Sequence, residues 1–305
     1  MKNRDHGLTL GLIGVVIFSG SLPATRAAVA GFEPVFLTAA RALLATLGAI
    51  VALVMFADNR PRRSELLSLM VVAASVVVGY PLLSGIAMTE ISSARGLLFT
   101  GLLPLSTATW AVVRGGERPH PAFWLFAIAG SGLLATYALM NGGGEGVFTA
   151  DSLMLVAIVV CGLGYAEGAV LSRRLGGWQV ICWALVIAAP AMLAVAAFTW
   201  PAGWPSFDSS AWLGLGYIAV FSMLIGFFFW YRALAVGGSS RVGQLQLLQP
   251  LIGMGLSAAL LDERVAWSLV ATAIGVLGCV AGASRLGIQR ASAARNVARL
   301  NGLPR

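Results

Sequence analysis

The chain has 305 residues, of which 58% are hydrophobic and only 10% charged, with a net charge of +8 and a mean hydropathy of +0.87. Soluble domains carry roughly 25% charged residues, so lipid must be the solvent for much of this chain. Almost no soluble mass is left for a nucleic-acid site, and the basic residues fall in short runs between apolar stretches, which is a topology signal rather than a binding patch.

In chain order, apolar runs of spanning length predict helices at 7–30, 34–57, 66–88, 92–114, 121–141, 152–174, 178–200, 211–232, 239–261 and 266–284. The first begins like a secretory leader, with Lys2 and Arg4 ahead of the apolar run Leu8–Gly20. Its apolar character continues through Ala30, so it reads as a retained helix kinked near Pro23. The breaks carry turn residues: Asp58–Pro61, Arg114–Pro121, Asn141–Gly146, Pro201–Pro205 and Gly237–Gly238. Cys161, Cys182 and Cys279 each fall within an apolar run, without paired spacing, and read as small buried hydrophobes.

Charge placement then sets orientation. With the N-terminus inside, ten helices put Lys2, Arg4, Arg60, Arg62, Arg63, Arg114, Arg118, Arg173, Arg174, Arg232 and Arg241 on the inner side. Arg285, Arg290, Arg295, Arg299 and Arg305 of the tail join them, making sixteen of the 20 basic residues. The outer loops hold Glu33, Glu90, Glu145, Asp151, Asp208, Asp262 and Glu263. Retention of basic loops predicts a multi-pass inner-membrane protein with both termini cytoplasmic.

The chain also repeats itself. At an offset of 146 residues, Ala87 meets Ala233, Ser93 meets Ser239, Arg95 meets Arg241, Pro104 meets Pro250, and Glu117-Arg118 meets Glu263-Arg264. The predicted units are 1–146 and 147–284, five helices each, followed by a basic cytoplasmic tail, 285–305. An odd helix count per unit inverts the second relative to the first, the construction of many secondary transporters with a substrate site between the halves.

These paired segments resemble the repeated unit of the drug/metabolite transporter superfamily, EamA branch. The stretch PVFLTAARALLAT at 34–46 is similar to that family's Pro-then-Arg-then-Leu-Leu-Ala signature and places its usual arginine at Arg41. Within the superfamily the chain looks most like the YddG-type exporters of aromatic amino acids. The resemblance covers nearly the whole chain. It implies ten helices as two inverted five-helix repeats around a central cavity, lined chiefly by helices 1, 3, 4, 6, 8 and 9. The Trp-Gly start common in the family is missing from the first helix, and Gly142–Gly146 is unusually glycine-rich. Both departures leave the substrate class open.

Ionisable groups inside a bilayer are functional candidates by default. Glu167, beside Tyr165 in the sixth helix, is the one acid read as lying well within a span; it either receives an ammonium, carries a proton or forms a structural ion pair. Arg41, Arg95 and Arg241 are candidates for gating or for structural charge. Helical spacing puts Tyr80, Ser84 and Met88 on one face of the third helix, and Arg95, Phe99, Ser106 and Trp110 on one face of the fourth. The eighth carries Tyr217, Phe221, Phe228 and Tyr231, with Trp230 adjacent; the ninth carries Gln246, Gln249, Gly253 and Ser257. Amides facing lipid would be unsatisfied, so that last face points inward, either lining a cavity or joining helices. The candidate substrate residues are therefore Tyr80, Ser84, Phe99, Tyr165, Glu167, Trp183, Trp230, Gln246 and Gln249. Pro23, Pro81, Pro104, Pro190 and Pro250 interrupt spans and predict kinks, static or hinged.

An intramembrane enzyme lacks support here. His6 and His120 lie in different inner segments, and no phosphate-cradling loop is evident. No cofactor or metal is expected; the partners are membrane lipid and a small-molecule substrate. The function predicted is a secondary carrier exporting small amphipathic metabolites such as aromatic or neutral amino acids. Drug cations, nucleosides or sugars are the alternative solutes, and a channel is a further alternative.

Overall fold

The computed structural model describes all residues except 1, 57–58, 116–120, 142–143, 202–208, 238–242 and 283–305. Among the described residues there is no strand, and ten apolar helices form the bundle. They are α1 (Gly7–Val29), α2 (Pro34–Phe56), α3 (Arg63–Glu90), α4 (Ser93–Val113), α5 (Trp124–Met140), α6 (Glu145–Leu175), α7 (Gly177–Phe198), α8 (Ser209–Ala233), α9 (Leu245–Leu261) and α10 (Trp267–Gly282). Seven are long enough to cross a membrane, while α5, α9 and α10 are shorter. The outward faces are apolar, with Val54, Leu139, Phe198 and Trp267 more than 70% exposed. Lipid tolerates such surfaces because backbone polar groups are satisfied within each helix.

Two boundaries depart from the sequence expectation. The sixth helix starts at Glu145, not 152, so Asp151 belongs to α6 rather than to an outer loop. Gly144, at φ +107°, turns the chain into that helix, and Glu145 favours the positive helix start. The ninth helix enters as a 3-10 stretch, Gly243–Leu248, and becomes α-helical at Gln249. The predicted start of that helix at 239, Arg241 and the basic tail lie outside the described residues.

Backbone irregularities follow the repeat. Widened π turns occupy Ala73–Gly79 in α3 and Tyr217–Ile225 in α8; an offset of 146 superposes the first on the second. In α3 the π turns precede Pro81, whose missing N–H and ring bulk displace the preceding turn. Proline cannot be the whole cause, because Phe227 stands at the matching place in α8. The breaks before the repeat-related Pro104 and Pro250 also pair: Gly101–Leu102 interrupts α4, and the 3-10 entry precedes Pro250. The first helix breaks at Gly20, three residues before Pro23, whereas Pro190 sits inside a continuous α7.

Packing interleaves the halves. Helix α1 lies along α8, α2 along α7, α3 and α4 along α6, and α9 along α4. The α4–α6 crossing depends on Gly162: a Cβ there would stand 2.2 Å from the Ser106 hydroxyl. Only a missing side chain lets the backbones approach so closely.

Candidate functional site

A cleft lies where seven helices converge. Its walls are Phe18 and Ser21 of α1, Arg41 of α2, Val76 and Tyr80 of α3, Leu103 of α4, Cys161 and Tyr165 of α6, Ser222, Met223 and Phe227 of α8, and Gln249 of α9. The six helices implied by the resemblance all contribute, and α2 adds the arginine. Val76 and Ser222 are repeat mates, as are Leu103 and Gln249, so the cleft sits on the pseudo-symmetry relation between halves. The irregular backbone at Ala73–Gly79 and Tyr217–Ile225 borders it directly.

Aromatic rings supply much of the wall. Phe227 meets Phe18 at 5.1 Å and Tyr165 at 6.1 Å, both edge to face. The Ser21 and Ser222 hydroxyls share a 2.7 Å hydrogen bond that joins α1 to α8. Gln249 donates from Nε2 to the Phe18 carbonyl at 3.5 Å, near the limit of such a bond. Arg41 is 5% exposed, its Nε has no hydrogen-bond partner, and its electrostatic neighbour is Tyr80. No carboxylate is among the lining residues. The free volume is about 30 Å³, room for about two waters, so the cleft is too narrow for an amino acid in this conformation.

Of the residues expected from sequence to meet substrate, the structure brings Tyr80, Tyr165 and Gln249 into this cleft, with Arg41. Ser84 is fully buried and donates to the Tyr80 carbonyl at 2.6 Å. Phe99 packs among Leu97, Leu98 and Met154 in a separate core cluster. Trp230 packs edge to face on Phe18, and Trp183 packs against the same core cluster with its indole N–H buried and unpartnered. Gln246 is buried with an unpartnered Nε2, outside the lining. Glu167 is buried on α6, two residues beyond Tyr165, and also outside the lining. Phe18, Ser21, Ser222 and Phe227 were not singled out by the sequence reading, and Cys161 was read only as a small buried hydrophobe.

A second polar cluster closes the end of the bundle that carries the α1–α2 turn. Arg95 grips Asp151 through two bonds, Nε to Oδ1 at 2.9 Å and Nη2 to Oδ2 at 2.6 Å. Its Nη1 donates to the Asn141 carbonyl at 2.8 Å, and the guanidinium lies over the Tyr137 ring at 5.5 Å. Arg95 is thus paired, and Asp151, 5% exposed near the start of α6, is a second buried acid beside Glu167. Glu263, in the α9–α10 turn, accepts the Ser93 and Ala94 N–H groups, each at 2.9 Å, at the start of α4. Behind it, Ser93 donates to Ser257 across the two halves at 2.8 Å. Arg26 donates to the Met88 and Thr89 carbonyls at the end of α3. At the opposite end, Arg174 of α6 pairs with Glu65 of α3.

A larger cavity, about 310 Å³, lies between α4, α5 and α6. Its Ser106 hydroxyl and Trp110 indole N–H already donate to the α6 carbonyls of Ile158 and Val159, at 3.1 and 2.9 Å. With those groups occupied and its walls otherwise mostly Leu, Ile and Val, it fits lipid chains better than a polar solute. The sequence-predicted stripe on the fourth helix therefore serves helix joining at Ser106 and Trp110.

Comparison with known proteins agrees with this architecture. The model of the EamA-like transporter family matches twice, at residues 5–138 and 148–285. A Bacillus subtilis (strain 168) protein named "Uncharacterized transporter YdeK" is 54% identical over 285 residues, covering 93% of this chain and 99% of that protein. A Streptantibioticus cattleyicolor protein named "Probable terminal-alkyne amino-acid exporter" is 24% identical over 276 residues, covering 88% and 90%. A solved structure described as "Crystal structure of protein" superposes with a TM-score of 0.66 at 18% identity, covering 94% of this chain and 99% of that one. At that identity the likeness shows the fold.

Proposed function

Because the chain belongs to the EamA-like transporter family, we propose that it is a secondary carrier for small amphipathic metabolites, aromatic or neutral amino acids foremost, working as an exporter by alternating access. The observation that carries this reading is the aromatic-walled cleft between the two halves, with neutral polar groups, one cation and no carboxylate among its lining residues. Neutral aromatic solutes can stack on Phe18, Tyr80, Tyr165 and Phe227 while their polar ends meet Ser21, Ser222 and Gln249. A dianion would lose hydration that a single guanidinium replaces only in part. A drug cation would face Arg41 without an acid to pair with, which disfavours that alternative. The distant relative named as an amino-acid exporter supports the same solute class.

The cleft admits no amino acid at its present volume, so the halves 1–146 and 147–284 must part at one end and then at the other. The charge asymmetry supports insertion in the inner membrane with both termini and the tail 285–305 in the cytoplasm. A reporter active only outside, fused at Gly143 or Ser206, should be active, and at Arg62 or Arg173 silent. Proteoliposome uptake of labelled phenylalanine, tryptophan and leucine, with and without a pH gradient, tests the transport reading. Saturable uptake of these is expected. Fast uptake of sulfate or dicarboxylates, with none of phenylalanine or tryptophan, overturns it.

A further inference from the structure

We propose that Arg41 is the receptor for a carboxylate on the transported solute, so that the cleft selects molecules by their acid end. This inference rests on the carrier reading above and names the group that its site recognises. Other arginines in the same structure show what a structural arginine looks like here. Arg95 is held by Asp151 and the Asn141 carbonyl, Arg26 caps the end of α3, and Arg174 grips Glu65. Arg41 alone among these four lies on the cleft, is 5% exposed and keeps its Nε without a partner. No ion pair to it is present among the described residues.

Burying a guanidinium without an anion is strongly unfavourable, and the cost falls when a carboxylate arrives from outside. The side chain lies seven residues into α2, about 10 Å along a span of about 30 Å, too deep to reach the surface comfortably by its own length. A planar guanidinium presents paired donors that match the two oxygens of a carboxylate, which gives direction as well as attraction. The surroundings continue the match. Tyr80 stands beside the guanidinium, the Ser21–Ser222 hydroxyl pair adds neutral hydrogen-bonding capacity, and the Phe18, Tyr165 and Phe227 rings receive an apolar side chain.

The repeat sharpens the assignment. The residue 146 positions beyond Arg41 is Ile187, so the cation occurs in one half only. A single cation in a pseudo-symmetric cleft polarises it, fixing which way round an acid-bearing solute lies between the halves.

The test compares acids with matched neutral and cationic compounds on the purified full-length carrier. Thermal stabilisation in detergent is titrated with L-phenylalanine, 3-phenylpropionate, L-phenylalaninamide and phenethylamine, on wild type, Arg41→Lys and Arg41→Met. On wild type, both acids should half-saturate at least tenfold lower in concentration than the amide and the amine. Arg41→Lys should weaken the acids while keeping their rank, and Arg41→Met should erase the preference. Equal half-saturation for acid and amide on wild type, or no stabilisation by either acid, overturns the proposal, whether or not the variants fold. Unchanged acid preference in a folded Arg41→Met overturns it too. Labelled-phenylalanine uptake separates this from the carrier reading. Uptake without acid preference sinks the arginine receptor alone. Stabilisation by 3-phenylpropionate, with phenylalanine neither bound nor carried, sinks the amino-acid reading and leaves the carboxylate receptor standing.

Discussion

Substituting Glu263 by Gln removes the simplest of the contacts between the halves. Its two carboxylate oxygens accept the Ser93 and Ala94 N–H groups, each at 2.9 Å, at the first turn of α4. A glutamine keeps one acceptor oxygen and replaces the other with a donor, so one backbone N–H loses its partner and the other faces a neutral group. A lost helix-start bond costs about 1–2 kcal/mol, and loss of a negative charge at the positive helix end costs about 0.3–1 kcal/mol more. Together they amount to about 2 kcal/mol, which is roughly 30-fold in the balance between closed and open at this end. Ser257, fully buried behind the turn, is the reporter site. With Cys161, Cys182 and Cys279 replaced, a Ser257→Cys thiol should react with a charged methanethiosulfonate on the order of tenfold faster or more once Glu263→Gln is added. Equal rates in two folded variants would show that Glu263 does not hold this end shut.

Three further outcomes are expected. Asp151→Asn and Arg95→Lys should each lower the unfolding temperature in detergent, with a double-mutant coupling on the order of 1–3 kcal/mol, because the pair is two-pronged and mostly shielded; additive losses would refute the pairing. Gly162→Ala should destabilise by about 1–3 kcal/mol through its clash with Ser106, while Gly255→Ala, with open space around it, should be near neutral; equal effects would refute the close α4–α6 approach. Glu167→Gln should leave folding nearly intact and make uptake insensitive to a pH gradient, since Gln keeps the size but cannot take a proton. Normal gradient-dependent uptake by the stable variant removes Glu167 from the candidates.

The ten helices were readable because each is an unbroken apolar run with charged or turn residues at its ends, and the repeat because Ser93, Pro104 and Glu117-Arg118 recur at one offset. The cleft was readable only in part. Tyr80 and Gln249 announced themselves as polar residues inside spans, and Arg41 as a buried charge. Phe227 did not, because the eighth helix was read at 3.6 residues per turn, whereas Tyr217–Ile225 is wound in wider turns. That change of register divides the apparent aromatic stripe: Tyr217 donates to the Ile17 carbonyl of α1 at 2.8 Å, and Phe227 enters the cleft. Ser21 was hidden for a related reason, since the break at Gly20 resets the face on which the next turn points. Asp151 was misplaced by the glycine run before it, which made the loop look longer than it is. Trp183 and Trp230 lie outside the cleft lining, and their size gave no sign of which side they face.

Closure at both ends constrains the energetics of the proposed cycle. Ser93–Ser257, Glu263 with α4, and Arg95–Asp151 join the halves at one end, and Glu65–Arg174 joins them at the other. A carrier must break one set while keeping the other, then reverse the choice. If one set exceeded the other by about 5.5 kcal/mol, the favoured closure would hold against its rival by about 10⁴, and the site would open to one side only. The bonds are of a kind that avoids this. Glu263 and Arg174 are half-exposed, where water can take over the freed groups and each rupture is less costly than a buried one. Arg95–Asp151 is the more buried pair, so it should dominate the barrier at its end. Solute bound at Arg41 contributes on the line between the halves rather than at either end. Its binding can therefore favour the occluded conformation without prejudging which end opens next.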